Sequence, residues 1–287
     1  MPQEVVNIKE KKLPKGVEYN GKTLKISGQI IEPVVFALSN NEPLVIEAQD
    51  SSEAKIIIEI NNNLKESLKY DVDLILKPNS NITYLLVTEL LSDDATINQN
   101  VIIEKDASLN LMVGFLNNKV KANLNNRLIG IGSNVNVRVV TISGRDNSQT
   151  VDVIINHEAK NSKGLMYNVA IASANGRIVL NGIEKILKGN SKSDAYQNLQ
   201  GITTSNDAFI EVNPILLIDE YDVTAGHGAT VGQLDEESIY YLMSRGLTKK
   251  EAEKLMINGL IRPVVDEITD KDIKERFINV VNKRLWV

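Results

Sequence analysis

The chain has 287 residues, of which 43% are hydrophobic and 24% charged, enough apolar material for a sizeable core and too balanced in charge for a disordered chain. Its net charge of −5, with no basic tract, argues against duplex nucleic acid as a main partner. The absence of cysteine excludes disulfides, cysteine–zinc sites, thiol catalysis and thiolate ligation of a metal cluster by this chain, and fits a reducing, cytoplasmic setting.

The N-terminal stretch MPQEVVNIKEKK lacks the apolar core of a signal peptide, and residues 1–23 read as an extension ahead of the first regular pattern. No run approaches the roughly 20 apolar residues of a membrane span, so no membrane partner is expected. From Leu24 to Glu220 the chain is a series of short alternating segments. Leu44–Ala48, Lys55–Ile60, Val72–Lys77 and Ile82–Leu90 follow one another at short intervals. Leu109, Leu111 and Val113 alternate with Asn110 and Met112. Val135, Val137 and Val139 alternate with Asn136 and Arg138, and Val151, Val153 and Ile155 with Asp152 and Ile154. Period-two alternation of β-branched residues places one set of side chains on a buried sheet face. Asn61-Asn62-Asn63, Pro78-Asn79-Ser80-Asn81, Gly132-Ser133-Asn134 and Gly144-Arg145-Asp146-Asn147 supply turn chemistry between the segments. Asn62–Tyr70 alone hints at a short helix. Many short strands without intervening helices predict a sandwich, a barrel or a solenoid, and no fixed repeat decides among them.

After Tyr221 the texture becomes helical, so residues 221–287 read as a small α-helical subdomain behind a β core at 24–220. Asp235 caps a helix with the stripe Ile239, Leu242 and Met243, ended by Gly246. Thr248 and Glu251 form a capping box for a helix carrying Ala252, Leu255 and Met256, which Gly259 is expected to end. Pro263 is expected to start a further short turn through Val264 and Val265. A last helix from about Thr269 carries Ile273, Phe277, Val280, Val281 and Leu285.

Candidate chemistry is sparse. The two histidines are His157, at the end of the strand Val151–Asn156, and His227, flanked by Gly226 and Gly228 in the stretch DVTAGHGATVG. His157 reads as a strand-end residue bonded to a turn. His227 reads either as part of a glycine-rich strand-to-helix connector or as an accessible ligand that Asp219, Glu220, Asp222, Asp235, Glu236 or Glu237 could orient. Gly226, Gly228 and Gly232 lack the lysine and hydroxyl residue of a P-loop and the βαβ setting of a dinucleotide site. Asp152 and Asp194 could pair as acids across a solenoid face, and Lys185, Lys188, Lys192 and Asp194 are the cluster to nominate for a β-helix enzyme acting on acidic polysaccharide.

The stretch DVTAGHGATVGQLDEESIYYLMSRGL, Asp222 to Leu247, resembles the signature of the SufB/SufD family of iron–sulfur cluster assembly proteins. Gly259-Leu260-Ile261-Arg262-Pro263 continues it. Asp152 with the strand into His157, Asn181-Gly182, Asp194-Ala195 before Gln197, and the Pro214 strand match in order. The resemblance implies a mainly β fold, a right-handed parallel β-helix with a small C-terminal α-helical subdomain. It implies a non-enzymatic, SufD-like scaffold that docks a SufC-type ABC ATPase through its C-terminal helices. It also implies pairing through the β-helix with a SufB-like subunit or an identical one. On that resemblance His227 is the candidate iron or cluster ligand at the subunit interface. Asp235, Glu236, Ile239, Tyr240, Met243, Arg245 and Gly246 are the candidate ATPase-binding residues. No cofactor is expected to stay bound to this chain alone; a transient iron–sulfur cluster would be shared with the partner. Gly226 stands where many relatives have serine, and the chain begins close to its β region, without the N-terminal helical domain of longer relatives. The rival readings are a polysaccharide-active β-helix and a purely structural homodimer.

Overall fold

A computed structural model describes residues 13–38 and 42–286; the rest of the sequence, including most of the expected N-terminal extension and its signal-peptide reading, lies outside the described residues. The strands in chain order are β1 (Val17–Tyr19), β2 (Thr23–Ile26), β3 (Val34–Leu38), β4 (Leu44–Ala48), β5 (Glu53–Asn62), β6 (Leu68–Leu76), β7 (Asn81–Leu90), β8 (Ala95–Ile103), β9 (Ser108–Phe115), β10 (Lys119–Leu128), β11 (Asn134–Gly144), β12 (Ser148–His157), β13 (Lys163–Ser173), β14 (Arg177–Ile186), β15 (Asp194–Thr203), β16 (Phe209–Ile218) and β17 (Thr224–Gln233). The helices that follow among the described residues are α1 (Glu236–Ser244), α2 (Lys249–Val265) and α3 (Lys271–Trp286). Even-numbered strands build one sheet and odd-numbered strands from β3 onward the other; β1 joins the even sheet through an antiparallel pairing with β2. All other pairings are parallel and link each strand to the one two places on, for example β10 to β12 and β11 to β13. The chain is therefore a flattened parallel β-solenoid whose two sheets enclose one core, and a hairpin-built sandwich is excluded.

The alternating residues fill that core. Val135, Val137, Val139, Val151, Val153 and Ile155 are all fully buried. The number of residues per coil varies, with a step of 22 from Val34 to Ile56 and of 32 from Arg177 to Phe209, so no fixed period aligns the sequence. The expected helix over Asn62–Tyr70 is absent. β5 runs to Asn62 and β6 starts at Leu68, because stacking on the neighbouring coils outweighs a weak local helical spacing.

One stack of turns repeats a single device. Ser51, Asn79, Asp106, Gly132, Asn161 and Lys192 all have positive φ, and each is followed by a buried small residue: Ser52, Ser80, Ala107, Ser133, Ser162 or Ser193. The serine hydroxyls donate back to the carbonyls of Gln49, Lys77, Gly130, Ala159 and Asn190 at 2.6–2.9 Å. Asn, Asp and Gly dominate the left-handed position because they tolerate it. The turns also bond to one another along the axis, as Asn79 N to Lys105 O at 3.0 Å and Asp106 N to Ile131 O at 3.0 Å. Ala107 shows that the backbone accepts a methyl side chain here, so Ser133→Ala should remove one buried hydrogen bond and little else. The expected loss is about 1 kcal/mol in urea unfolding, against none for a surface Ser→Ala. On the outer face of the even sheet, Asn213 donates to Asn181 at 2.8 Å and Asn181 to Asp152 at 2.6 Å, an amide ladder of the kind stacked strands favour.

The helices cover part of the outer face of the odd sheet. Ile57, Leu85, Val87, Met112, Val140, Ile142 and Ile171 face outward, yet are buried beneath Ile257, Ile261, Val264, Phe277 and Val281. The ends of α1 follow expectation: Asp235 accepts from Ser238 N at 2.8 Å, and Gly246 adopts φ +98° just after the helix. The Thr248–Glu251 capping box forms as expected. The stop at Gly259 and the new turn at Pro263 do not occur, since α2 runs unbroken through both. Proline disfavours a helix interior, but here it sits in the last turn, and burial of Ile257, Ile261 and Val264 offsets the lost bond. Among the described residues, no helix is long and apolar enough to cross a membrane.

Candidate functional site

Among the described residues the two sheets end in β16 and β17, with no strand beyond them. Their burial patterns break down accordingly. β14 alternates regularly between buried and half-buried residues, whereas β16 is largely half-buried or exposed and β17 has no buried residue. Parallel register carries side-chain direction from coil to coil. Gln197 is buried in the interior and pairs with His227; Leu199 pairs with Ala229 and Gly201 with Val231. His227 thus projects from β17 into the mouth of the solenoid, together with Ala225, Ala229 and Val231. Opposite them, β16 presents Val212, Pro214, Leu216 and Ile218 by the same register from β14. Val231 is 53% exposed, and Val212, Pro214, Leu216 and Ile218 are half-buried.

His227 therefore lies in a strand and not in a strand-to-helix connector. Glycine and alanine conceal the strand from a hydrophobicity reading, but the β15 ladder forms through the backbone alone. The expected carboxylates do not gather on the ring. Glu220 accepts from Gly189 N at 2.8 Å and Tyr221 N at 2.9 Å, which lowers its pKa. Asp235 is engaged as the cap of α1, and its bonds to Ser238 lower its pKa. Among the described residues, no three His, Cys, Asp or Glu side chains converge as a metal cluster.

The α1 candidates divide in two. Glu236, Tyr240, Met243 and Arg245 are exposed, with Tyr240 at 76%, and the Arg245 guanidinium sits 5.2 Å from the Tyr241 ring centre. Ile239 is buried and fastens α1 to the body; Asp235 and Gly246 shape its ends. A groove between α1 and the end of the odd sheet is lined by Thr203, Gln233, Tyr240, Met243, Lys249 and Glu253. The acid pair expected for carbohydrate chemistry does not form. Asp152 lies on the even sheet, bonded by Asn181; Asp194 lies on the odd sheet, 3.5 Å from Lys163 and not ion-paired with Lys185, Lys188 or Lys192.

A site that local patterning does not announce lies one coil below the mouth. His157 ends β12 as expected, with Nδ1 2.8 Å from Ser162 Oγ in the next turn. Its Nε2 stands 3.7 Å from Glu184 Oε2, and both side chains have no exposure. Burial lowers the imidazole to about 4 and raises the carboxyl to about 9, so near neutral pH the contact joins two uncharged groups. His157 Nε2 and both Glu184 oxygens meet no hydrogen-bond partner.

Residues 36–260 match the family described as SUF system FeS cluster assembly, SufBD core domain. The chain belongs to the SufB/SufD family. It is 34% identical over 217 residues to the iron–sulfur cluster assembly protein SufD of Bacillus subtilis, covering 74% of this chain and 49% of the relative. It is 30% identical over 115 residues to SufD of Escherichia coli, covering 40% of this chain and 27% of the relative. A SufBD family protein of Mycobacterium tuberculosis is 26% identical over 199 residues, covering 69% of this chain and 24% of the relative. The chain thus spans about half or less of the length of these relatives. Within the SufB/SufD family its relationship is SufD-like.

Proposed function

We propose that this chain is a scaffold subunit for iron–sulfur cluster assembly that pairs through the open end of its solenoid with a SufB-like subunit or a second copy of itself. The observation that carries the reading is β17: an edge strand with unpaired backbone groups, holding the inward-facing His227 between Ala225 and Ala229 at an uncapped, partly apolar mouth. An open edge is a template for strand addition, and the small residues of β17 let a partner backbone approach. His227 then meets the partner's groups and contributes one imidazole ligand to iron or a nascent cluster, which the complex handles as cargo. The exposed face of α1, with Glu236, Tyr240, Met243 and Arg245, is the docking surface for a SufC-type ABC ATPase. The chemistry of ATP hydrolysis belongs to that partner.

Co-expression with the SufB-like and ATPase subunits from the same genome tests each part. Val231→Lys places a charge in the open mouth and should abolish pairing while the solenoid keeps its melting temperature. Tyr240→Asp with Met243→Asp should weaken ATPase capture at least tenfold. His227→Ala should leave both associations intact and remove cluster assembly. Undiminished assembly by His227→Ala refutes the ligand role; undiminished pairing by Val231→Lys refutes the mouth as the interface.

A further inference from the structure

We infer that Gln197 is the positioning residue for His227, accepting one imidazole N–H so that the other ring nitrogen is left as a lone-pair ligand directed out of the mouth. The inference rests on the metal reading of His227 only for its purpose, because the ring's tautomer can be read on this chain alone. Gln197 is fully buried on β15. Its Nε2 donates to Ile215 O on the opposite sheet at 3.0 Å, which fixes which end of the amide is which. Its Oε1 is buried and meets no donor. Buried amide oxygens are seldom left so.

The neighbours of that oxygen narrow its donors to the neutral Glu184 carboxyl across the interior and His227 on the next strand. Along the interior file, the register partner of Gln197 on one side is Met166, a thioether with no proton to give, and on the other side His227. Its inward neighbours on its own strand are Ala195 and Leu199, both apolar. The strands stand about 4.8 Å apart, within reach of a rotamer change that brings a ring N–H onto the amide oxygen. The titratable groups facing this interior are Glu184 and His157, with Asp194 at the head of β15; Glu184 makes no bond to Gln197. A histidine that binds a metal through one nitrogen is usually held by an acceptor at the other, which sets its tautomer and basicity. Ala225 and Ala229 flank the ring, so no other side chain of β17 competes for the oxygen.

The chain has only two histidines, so nitrogen-15 NMR of the full-length protein resolves both rings. His227 should show one dominant tautomer. Gln197→Leu should return it to the mixture of a free imidazole, and Gln197→Glu should keep the single tautomer. In the co-purified complex, ferrous iron should bind about 10- to 100-fold more weakly with Gln197→Leu, and Gln197→Glu should restore it. His157 serves as the internal control for folding, since its signals should not move. A His227 tautomer ratio unchanged by Gln197→Leu overturns the inference, whatever iron does. A tautomer change alongside unaltered iron uptake in His227→Ala overturns the metal reading and leaves the positioning bond standing.

Discussion

Replacing Glu184 by glutamine should remove a loss of stability of about 3 kcal/mol that the wild-type protein suffers between pH 6.5 and pH 9. The carboxyl is raised from 4.5 to about 9 by burial, with Asp194 adding to the rise. A folded-state pKa above the unfolded value means that the folded chain keeps its proton while the unfolded chain releases it. Stability from this group is therefore complete below pH 4.5 and falls as pH rises toward 9. His157 runs the other way: burial lowers it from 6.5 to about 4, so its contribution rises with pH between those values and then stays level. Between pH 4.5 and 6.5 the two slopes oppose each other. Above pH 6.5 only the Glu184 slope remains, about 1.4 kcal/mol per pH unit over roughly 2.5 units. Urea denaturation of both proteins from pH 5 to pH 9 makes the comparison. The curves should diverge above pH 6.5, and parallel curves across that range would show that Glu184 is ionised in the folded state.

This pair also marks where sequence reasoning stops. His157 and Glu184 stand on strands one coil apart, so their meeting depends on the register of β12 against β14, and neither has a local signature. Features written in local chemistry were legible. Val135, Val137 and Val139 declared a buried face by alternation. Asp235 and Thr248 with Glu251 declared helix starts, because a cap is a bond between residues three apart. Features decided by distant packing were not. The strand β17 offers glycine and alanine instead of β-branched residues, and exists because β15 supplies its hydrogen-bond partners. The helix α2 crosses Gly259 and Pro263 because its apolar stripe lies on the odd sheet. A further local signal is present: Ile56-Ile57-Ile58 and Leu85-Leu86-Val87 break the alternation with continuous apolar runs. Such runs belong to strands covered on both faces, and here they locate the surface on which the helices sit.

That covered surface fixes how the helices are joined to the solenoid. Phe277 on α3 is fully buried over Gly114, where any side chain would overlap its ring, and the carbonyl of Arg284 closes on Gly144 in the same way. Three polar clamps surround this contact: Lys55 with Glu267 at 2.6 Å, Arg276 with Glu59, and Arg284 Nη2 to Leu116 O at 2.7 Å. Phe277→Ala should cost about 3–5 kcal/mol, the range for deleting a buried aromatic ring. Because the interior core lies on the other side of the odd sheet, the loss should concentrate in the helices. Hydrogen exchange should show α2 and α3 losing protection while β10, β12 and β14, on the far sheet, keep theirs. Gly114→Leu should give the same pattern from the opposite side, by displacing the ring instead of deleting it. A uniform loss of protection across both sheets would mean that helices and solenoid unfold as one unit, and would remove the division between a docking part and a pairing part.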